Sequence, residues 1–394
     1  MRVLFLFPRP LDSQTSIGGV AEFLSAIVPI LQDLNVVPII YAGFKNLKQI
    51  ELADDKLLDA KVYNGPFLKP RWFISYRLIK NVISLCQKEN IDIIHAQGTY
   101  LAGFMALQIY KQSGIPYVVT SHGDILPAAS KRMKRFSVQK RCISVLKYAK
   151  KVTHLTPMLE KVSHQLFNTT EKSVIISNGV NTNQWQKYSA EKNFLLAIGR
   201  LELGKGFHII IETYQELVKN GFTVPLVIAG TGTKEFFLHQ LVQKLGLNLI
   251  TNNHGVTEFP EKSVIFTGYV RGETKSRLIE NAKLILFATQ PNLWEEAYGI
   301  VQLEAMAAGR ALVASDTTIT RYLQTKGLQC LLVSPTSIQE WMRAILTLLN
   351  DDTLRKGMGE ANKKAAISFD WHPIVKQYVN IYRDVTAIPA VRVG

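Results

Sequence analysis

The chain has 394 residues, of which 47% are hydrophobic and 20% charged. It therefore carries enough apolar mass for two cores of ordinary domain size and does not have the composition of a disordered chain. Its three cysteines, Cys86, Cys142 and Cys330, lack CxxC spacing and argue against a disulfide framework or a thiolate metal site. The formal net charge of +15 is unevenly spread: residues 1–190 hold 24 Lys and Arg against 12 Asp and Glu, the remainder 22 against 19. A globular protein with a basic first half follows.

In chain order, the leading apolar run is Val3–Phe7, closed by Pro8. It is too short for a signal-peptide core and suits a buried first strand, so a cytoplasmic chain is expected. No run of 18 or more apolar residues suggests a membrane span. Ser16-Ile17-Gly18-Gly19-Val20 then opens a helix over 20–34. Two glycines at a helix start let a phosphate approach backbone N–H groups, although a plain tight turn has the same signature. Strands are expected at 36–41, 91–95, 117–120, 151–155 and 173–176, with helices over 77–89 and 103–113 between them. Two strands end in histidine-bearing segments, His95-Ala96-Gln97-Gly98 and Thr120-Ser121-His122-Gly123-Asp124. A histidine at such a rim can bond a sugar hydroxyl, and a lone histidine is more often a satisfied structural group.

Between residues 131 and 151 lie nine basic residues and no acid. Val138, Cys142, Val145 and Ala149 give this stretch a helical apolar stripe, which predicts a basic amphipathic helix. Such a helix suits an anionic membrane surface, and a solvated basic face has the same pattern. No aromatic-interleaved patch or nucleic-acid motif accompanies the charge, so no nucleic-acid partner is expected. The polar stretch 181–192 lacks periodicity and marks a break in the chain.

A second set of strands is expected at 194–198, 224–229, 264–267, 284–288, 311–314 and 329–333. Continuous rather than alternating hydrophobicity implies strands buried on both faces, hence parallel sheets with helices around them. Ligands in such folds collect at the carboxyl ends of the strands. Gly199-Arg200 to Lys205-Gly206 leaves the first of these strands, with two cations able to clamp a diphosphate; two ordinary surface cations read the same way. Ala229-Gly230-Thr231-Gly232-Thr233 is a Gly-x-Gly without its third glycine, a weak signal alone.

The densest segment is Glu295-Glu296-Ala297-Tyr298-Gly299-Ile300-Val301-Gln302-Leu303-Glu304. With a helix starting near Gly299, Glu304 sits one to two turns in, at about 3.6 residues per turn, and can face the same site as Glu296. The amides of Tyr298, Gly299, Ile300 and Val301 would form an anion-favouring helix start between two hydroxyl-accepting carboxylates. An acidic first turn followed by one exposed helix glutamate is the plainer account. There is no Asp-x-Asp, His-Glu-x-x-His or Gly-x-x-x-x-Gly-Lys-Ser/Thr, so no metal and no cofactor is expected.

Taken together and in order, these segments resemble the retaining GT-B glycosyltransferases of family 4, the glycosyl transferases group 1. The matching parts are Gly18-Gly19, Ser121-His122-Gly123, residues 174–181 and Gly199-Arg200 to Lys205-Gly206. They continue with residues 264–270, Glu296 to Glu304, and Phe369-Asp370-Trp371 running into a last helix with Tyr382. Ala311 stands where the family usually has proline, a turn position rather than a chemical one.

The resemblance implies an α/β GT-B fold of two facing Rossmann-like doubly wound parallel-sheet domains with a cleft between them. The first, residues 1–182, would bind the acceptor and be completed by the C-terminal helix over about 372–394. The second, residues 183–371, would bind the nucleotide-sugar donor. It further implies that His122, Arg200, Lys205 and Glu296 act in catalysis, His122 near the sugar's 6-position and the two cations on the diphosphate. Gly18, Gly19, Gly199, Gly232, Tyr269, Tyr298, Gly299, Ile300, Val301 and Glu304 would line the donor site, with Glu304 on the ribose. The expected activity is metal-independent transfer of a hexose-type sugar, with retention, from a nucleotide-diphosphate sugar to a glycan or lipid-linked acceptor. Envelope polysaccharide or lipopolysaccharide synthesis, in the cytoplasm or peripherally on the inner face of the cytoplasmic membrane, is the expected setting. A sugar-nucleotide epimerase or hydrolase of the same fold, and a non-catalytic membrane-associated nucleotide-sugar binder, are the alternatives.

Overall fold

A computed structural model describes residues 1–11, 19–44, 47, 49–53, 59–66, 76–126, 131–185, 191–251 and 259–387. The chain divides into two compact units, Met1–Gly179 with Trp371–Gly394, and Val180–Asp370.

The first unit runs β1 (Arg2–Phe7), α1 (Gly19–Asp33), β2 (Val37–Phe44), β3 (Glu51–Leu52), β4 (Lys61–Pro66), α2 (Tyr76–Lys88), β5 (Ile93–Gln97) and α3 (Leu101–Ser113). It continues with β6 (Tyr117–Ser121), α4 (Phe136–Tyr148), β7 (Lys151–His154), α5 (Pro157–Leu166) and β8 (Ser173–Ile175). Its sheet has the order β3-β4-β2-β1-β5-β6-β7-β8, parallel except at the β3–β4 edge.

Successive residues of β1 face opposite ways, and both faces are covered. Val3, Phe5 and Phe7 pack with Leu24, Ile27 and Leu31 of α1 and with Tyr378 and Tyr382 near the chain's end. Leu4 and Leu6 pack with Met105, Ile109 and Leu146 on the other side. Burial of each such side chain favours folding by roughly 1.5–3 kcal/mol, which is why the apolar run is unbroken.

The second unit runs β9 (Leu195–Ile198), α6 (Phe207–Lys219), β10 (Leu226–Ala229), α7 (Glu235–Lys244), β11 (Asn248–Thr251), β12 (Ser263–Phe266), α8 (Gly272–Asn281) and β13 (Leu284–Phe287). It continues with α9 (Ile300–Ala307), β14 (Leu312–Ser315), α10 (Thr318–Thr325), β15 (Leu331–Val333), α11 (Ile338–Asn350) and α12 (Asp352–Ala366). The parallel sheet has the order β11-β12-β10-β9-β13-β14-β15. After it, α13 (Trp371–Ala387) returns to the first unit and buries Ile374, Tyr378 and Tyr382 in the α1-side core.

Three strands escaped the sequence reading. β3 is two exposed residues, β4 includes Asn64-Gly65-Pro66, which interrupt its apolar run, and β11 exposes Asn248 and Thr251. All lie at or next to sheet edges, where burial on both faces no longer marks the sequence. The basic stretch is likewise not one helix. A 3-10 turn over Lys131–Lys134 precedes α4, and Lys151 opens β7. The stripe of Val138, Cys142, Val145 and Ala149 is buried in the first unit's core, as a solvated basic face requires, and is not available to a membrane surface.

Candidate active site

In the second unit the strand order reverses at β9: β10 follows on one side and β13 lies on the other. Loops leaving adjacent strands at such a switch point diverge to opposite faces and leave room for a ligand at their carboxyl ends. Arg200 and Lys205 follow β9, and Glu296 follows β13.

Backbone contacts join these two loops. The Gln290 amide donates to the Gly204 carbonyl at 2.8 Å, and the Gln290 side-chain amide donates to the Pro335 carbonyl at 2.6 Å. Gly204 lies so close to Trp294 that an added Cβ would come within 3.2 Å of the Trp294 backbone nitrogen. The joined loops carry Lys205 to Glu296, with which its ammonium forms an ion pair; both side chains are largely buried. The exposed Arg200 guanidinium lies over the Trp294 ring, 5.3 Å from its centroid, a cation–π geometry that holds the fork without using its N–H groups.

Gly299 immediately precedes α9, at φ 71 and ψ 56, a left-handed conformation that glycine adopts without strain. An added Cβ would also sit 2.8 Å from Gln302 Nε2. The turn points the first amides of α9, Ile300 and Val301 among them, out of the helix start, where orphan donors and the dipole favour an anion. One turn on, the Glu304 carboxylate is buried and pairs with Lys275 of α8, at 2.6 Å from Nζ to Oε1. Of the other residues expected here, Tyr298 is 2% exposed and Tyr269 is 44% exposed beyond β12. The Gly232 loop is tied to the Arg200 loop by the Lys234 amide, which donates to the Leu201 carbonyl at 2.9 Å. Gly199 immediately follows β9, its amide bonded to the Ala229 carbonyl.

The first unit has its own polar cluster at the carboxyl ends of β5 and β6. His122 Nε2 lies 2.8 Å from Gln97 Oε1, and its ring meets Phe23 edge-on at 5.4 Å. Burial pushes its pKa down to about 4, so a neutral imidazole stands there at neutral pH. Two residues on, Asp124 Oδ2 accepts from the Tyr100 amide at 2.9 Å, next to the start of α3. Burial raises its carboxyl pKa, opposed by bonds from the backbone amides of Tyr100, Thr99 and Asp124 itself. His95, expected at a strand end, instead lies in the middle of β5 (Ile93–Gln97) and is fully buried. Its Nδ1 lies 2.6 Å from the Tyr382 hydroxyl and its Nε2 2.6 Å from Thr120 Oγ1, which makes it a structural residue. Gly19 opens α1, and Gly18 lies outside the described residues.

Lys275, Trp294 and Gln97 were missed from the sequence. A lysine in the first turn of a polar helix reads as a solvated side chain, and its partner stands 29 positions away with no periodic relation. Trp294 had a usable signal, an aromatic residue two positions before Glu296.

Two family models match the chain: Glycosyl transferases group 1 over residues 181–365 and Glycosyltransferase Family 4 over residues 17–184. An uncharacterized glycosyltransferase of Methanocaldococcus jannaschii is 24% identical over 317 residues, covering 75% of this chain and 76% of its own. The phosphatidyl-myo-inositol mannosyltransferase of Mycolicibacterium smegmatis is 27% identical over 221 residues, 54% of this chain and 52% of its own. Among solved structures, Anabaena HepE in complex with UDP and glucose superposes with a TM-score of 0.75 at 19% identity, covering 98% of this chain and 100% of its own. At that identity the likeness establishes the fold, which is GT-B.

Proposed function

The chain belongs to the family 4, group 1 glycosyltransferases of GT-B fold, and from that premise we propose that it transfers a hexose-type sugar from a nucleotide-diphosphate sugar to a glycan or lipid-linked acceptor, retaining the anomeric configuration. One observation carries this reading: Lys205 and Glu296 are paired at the β9–β13 switch point of the sheet whose next helix, α9, starts just beyond.

In this reading Arg200, Lys205 and the first amides of α9 take the charge that builds on the departing diphosphate. Glu296 accepts from the sugar's hydroxyls and Glu304 from the ribose. His122, kept neutral by its burial, offers an uncharged nitrogen to a sugar hydroxyl. Gly18, Gly19, Gly199, Gly232, Tyr269 and Tyr298 complete the donor contacts through their backbone. No side chain need attack the sugar: the leaving phosphate takes the acceptor's proton, and the protein's contribution is position and preorganised charge. With the diphosphate met by cations and amides, the reaction asks for neither metal nor cofactor.

The acceptor side of the proposal includes an anionic membrane surface. Arg132, Lys134, Arg135 and Lys140 are exposed about the start of α4, and Phe136 among them is 68% exposed. A cytoplasmic enzyme peripheral to the inner membrane face, serving envelope polysaccharide or lipopolysaccharide synthesis, fits that surface.

The test begins with a thermal-shift screen of UDP-, GDP- and ADP-sugars, since a ligand at 100 times its Kd adds about 2.7 kcal/mol of stability. With the donor found, Arg200→Ala and Glu296→Ala should each lower transfer kcat/KM by about 10²–10³-fold. Near-wild-type turnover in both variants overturns the assignment. Rapid donor conversion without any acceptor would instead indicate an epimerase or hydrolase.

A further inference from the structure

We propose that Lys275 is a positioning residue for the donor nucleotide, its ammonium holding the Glu304 carboxylate in the orientation that accepts from the ribose hydroxyls. The inference rests on the reading of Glu304 given above and adds a residue to it. The Lys275 ammonium lies 2.6 Å from Glu304 Oε1, with the two side chains only 17% and 11% exposed.

Stability of α8 does not account for this pair. Lys275 occupies the first turn of α8, where the helix dipole disfavours a cation. It also gives up most of its hydration there, and burying an ion pair is weak evidence for stabilisation. What the pair does accomplish is directional. A buried glutamate on α9 has several rotamers, and a cation fixed on the neighbouring helix selects one of them. An ionised carboxylate is an acceptor with about four lone-pair sites, so one ammonium contact leaves capacity for a vicinal diol, whose two hydroxyls are both donors. The loop leading from β12 into α8 also carries Tyr269. One short segment thus bears both the orienting cation and the residue expected nearest the base.

The contribution of the 2′-hydroxyl can be isolated by comparing each nucleotide with its deoxy form in a cycle of variants. Binding of UDP, GDP and ADP, and of their 2′-deoxy counterparts, is measured by calorimetry on the wild type, Lys275→Met, Lys275→Arg and Glu304→Gln. Melting curves confirm that each variant is folded. For whichever nucleotide binds the wild type, the ribose form should bind roughly tenfold or more tightly than the deoxy form, the scale of a hydrogen bond to a charged group. That preference should collapse towards unity in Lys275→Met as in Glu304→Gln and be restored in part by Lys275→Arg.

A Lys275→Met protein that loses affinity equally for ribose and deoxyribose forms, or keeps the full preference while Glu304→Gln loses it, overturns the inference. If Glu304→Gln itself keeps the preference, the ribose assignment of Glu304 fails first and the inference falls with it. If no nucleoside diphosphate binds the wild type, the donor-site reading fails as a whole.

Discussion

The Gln290 amide donates to the Gly204 carbonyl at 2.8 Å. That single backbone bond joins the turn bearing Lys205 to the loop bearing Glu296, 91 positions further along the chain. The pairing therefore depends on how closely two backbones approach, and Gly204 sits where they do. Gly204→Ala should cost about 1–3 kcal/mol through overpacking against Trp294. Because the displaced segment carries Lys205, donor affinity should fall as well. Urea unfolding and nucleotide calorimetry measure the two effects. A variant with unchanged midpoint and unchanged affinity would show the contact to be slack.

Gly299→Ala tests the start of α9. An alanine at φ 71 incurs about 1–2 kcal/mol of left-handed strain, and its Cβ would also crowd Gln302 Nε2 at 2.8 Å. The expected result is a lowered unfolding midpoint together with weaker nucleotide-diphosphate binding, since the amides that face the anion must turn with the helix start. Unaltered binding would remove those amides from the donor site.

The first unit should be acid-labile. His95 and His154 are both fully buried, and burial lowers their pKa values to about 3 and about 4. In the unfolded chain a histidine titrates near 6.5. Between pH 6.5 and 4 the unfolded state therefore binds more protons than the folded one, and stability falls as pH falls. Between the folded and unfolded pKa values each histidine contributes a limiting slope of about 1.4 kcal/mol per pH unit, and its stabilising contribution is complete only above the unfolded pKa. Thermal melts between pH 7 and 4 check this. A flat melting temperature across that window contradicts the burial-driven shift.

The exposed basic and aromatic group at the start of α4 should respond to lipid charge. Each cation near an anionic surface is worth about 1 kcal/mol, so replacing Arg132, Lys134 and Arg135 together by Gln should weaken vesicle partitioning by about 3 kcal/mol. Phe136→Ser should weaken it further without affecting the fold, because the ring is 68% exposed. Sedimentation with phosphatidylglycerol and with phosphatidylcholine vesicles distinguishes the outcomes. Binding indifferent to lipid charge would end the membrane proposal.

Composition and periodicity by themselves determined the parallel sheets. Runs such as Val3–Phe7 and Leu284–Phe287 are apolar at every position because each face of the strand is covered, and that constraint is written locally. The motif residues were legible for the same reason: a glycine before a helix start, or a cation after a strand, is a local requirement.

What only the tertiary structure decided is which residues meet. His95 and His122 both read as strand-end histidines, yet His95 lies in the middle of β5, sealed by Tyr382, 287 positions away, while His122 follows β6 and keeps Gln97 as its partner. Lys205 finds Glu296 and Lys275 finds Glu304 through loop and helix packing that no spacing rule encodes. The short edge strands were invisible because a half-exposed strand need not be apolar. Local sequence records what each residue must be to sit in its own element. Partnership across elements is set by strand order and packing, which are properties of the folded chain.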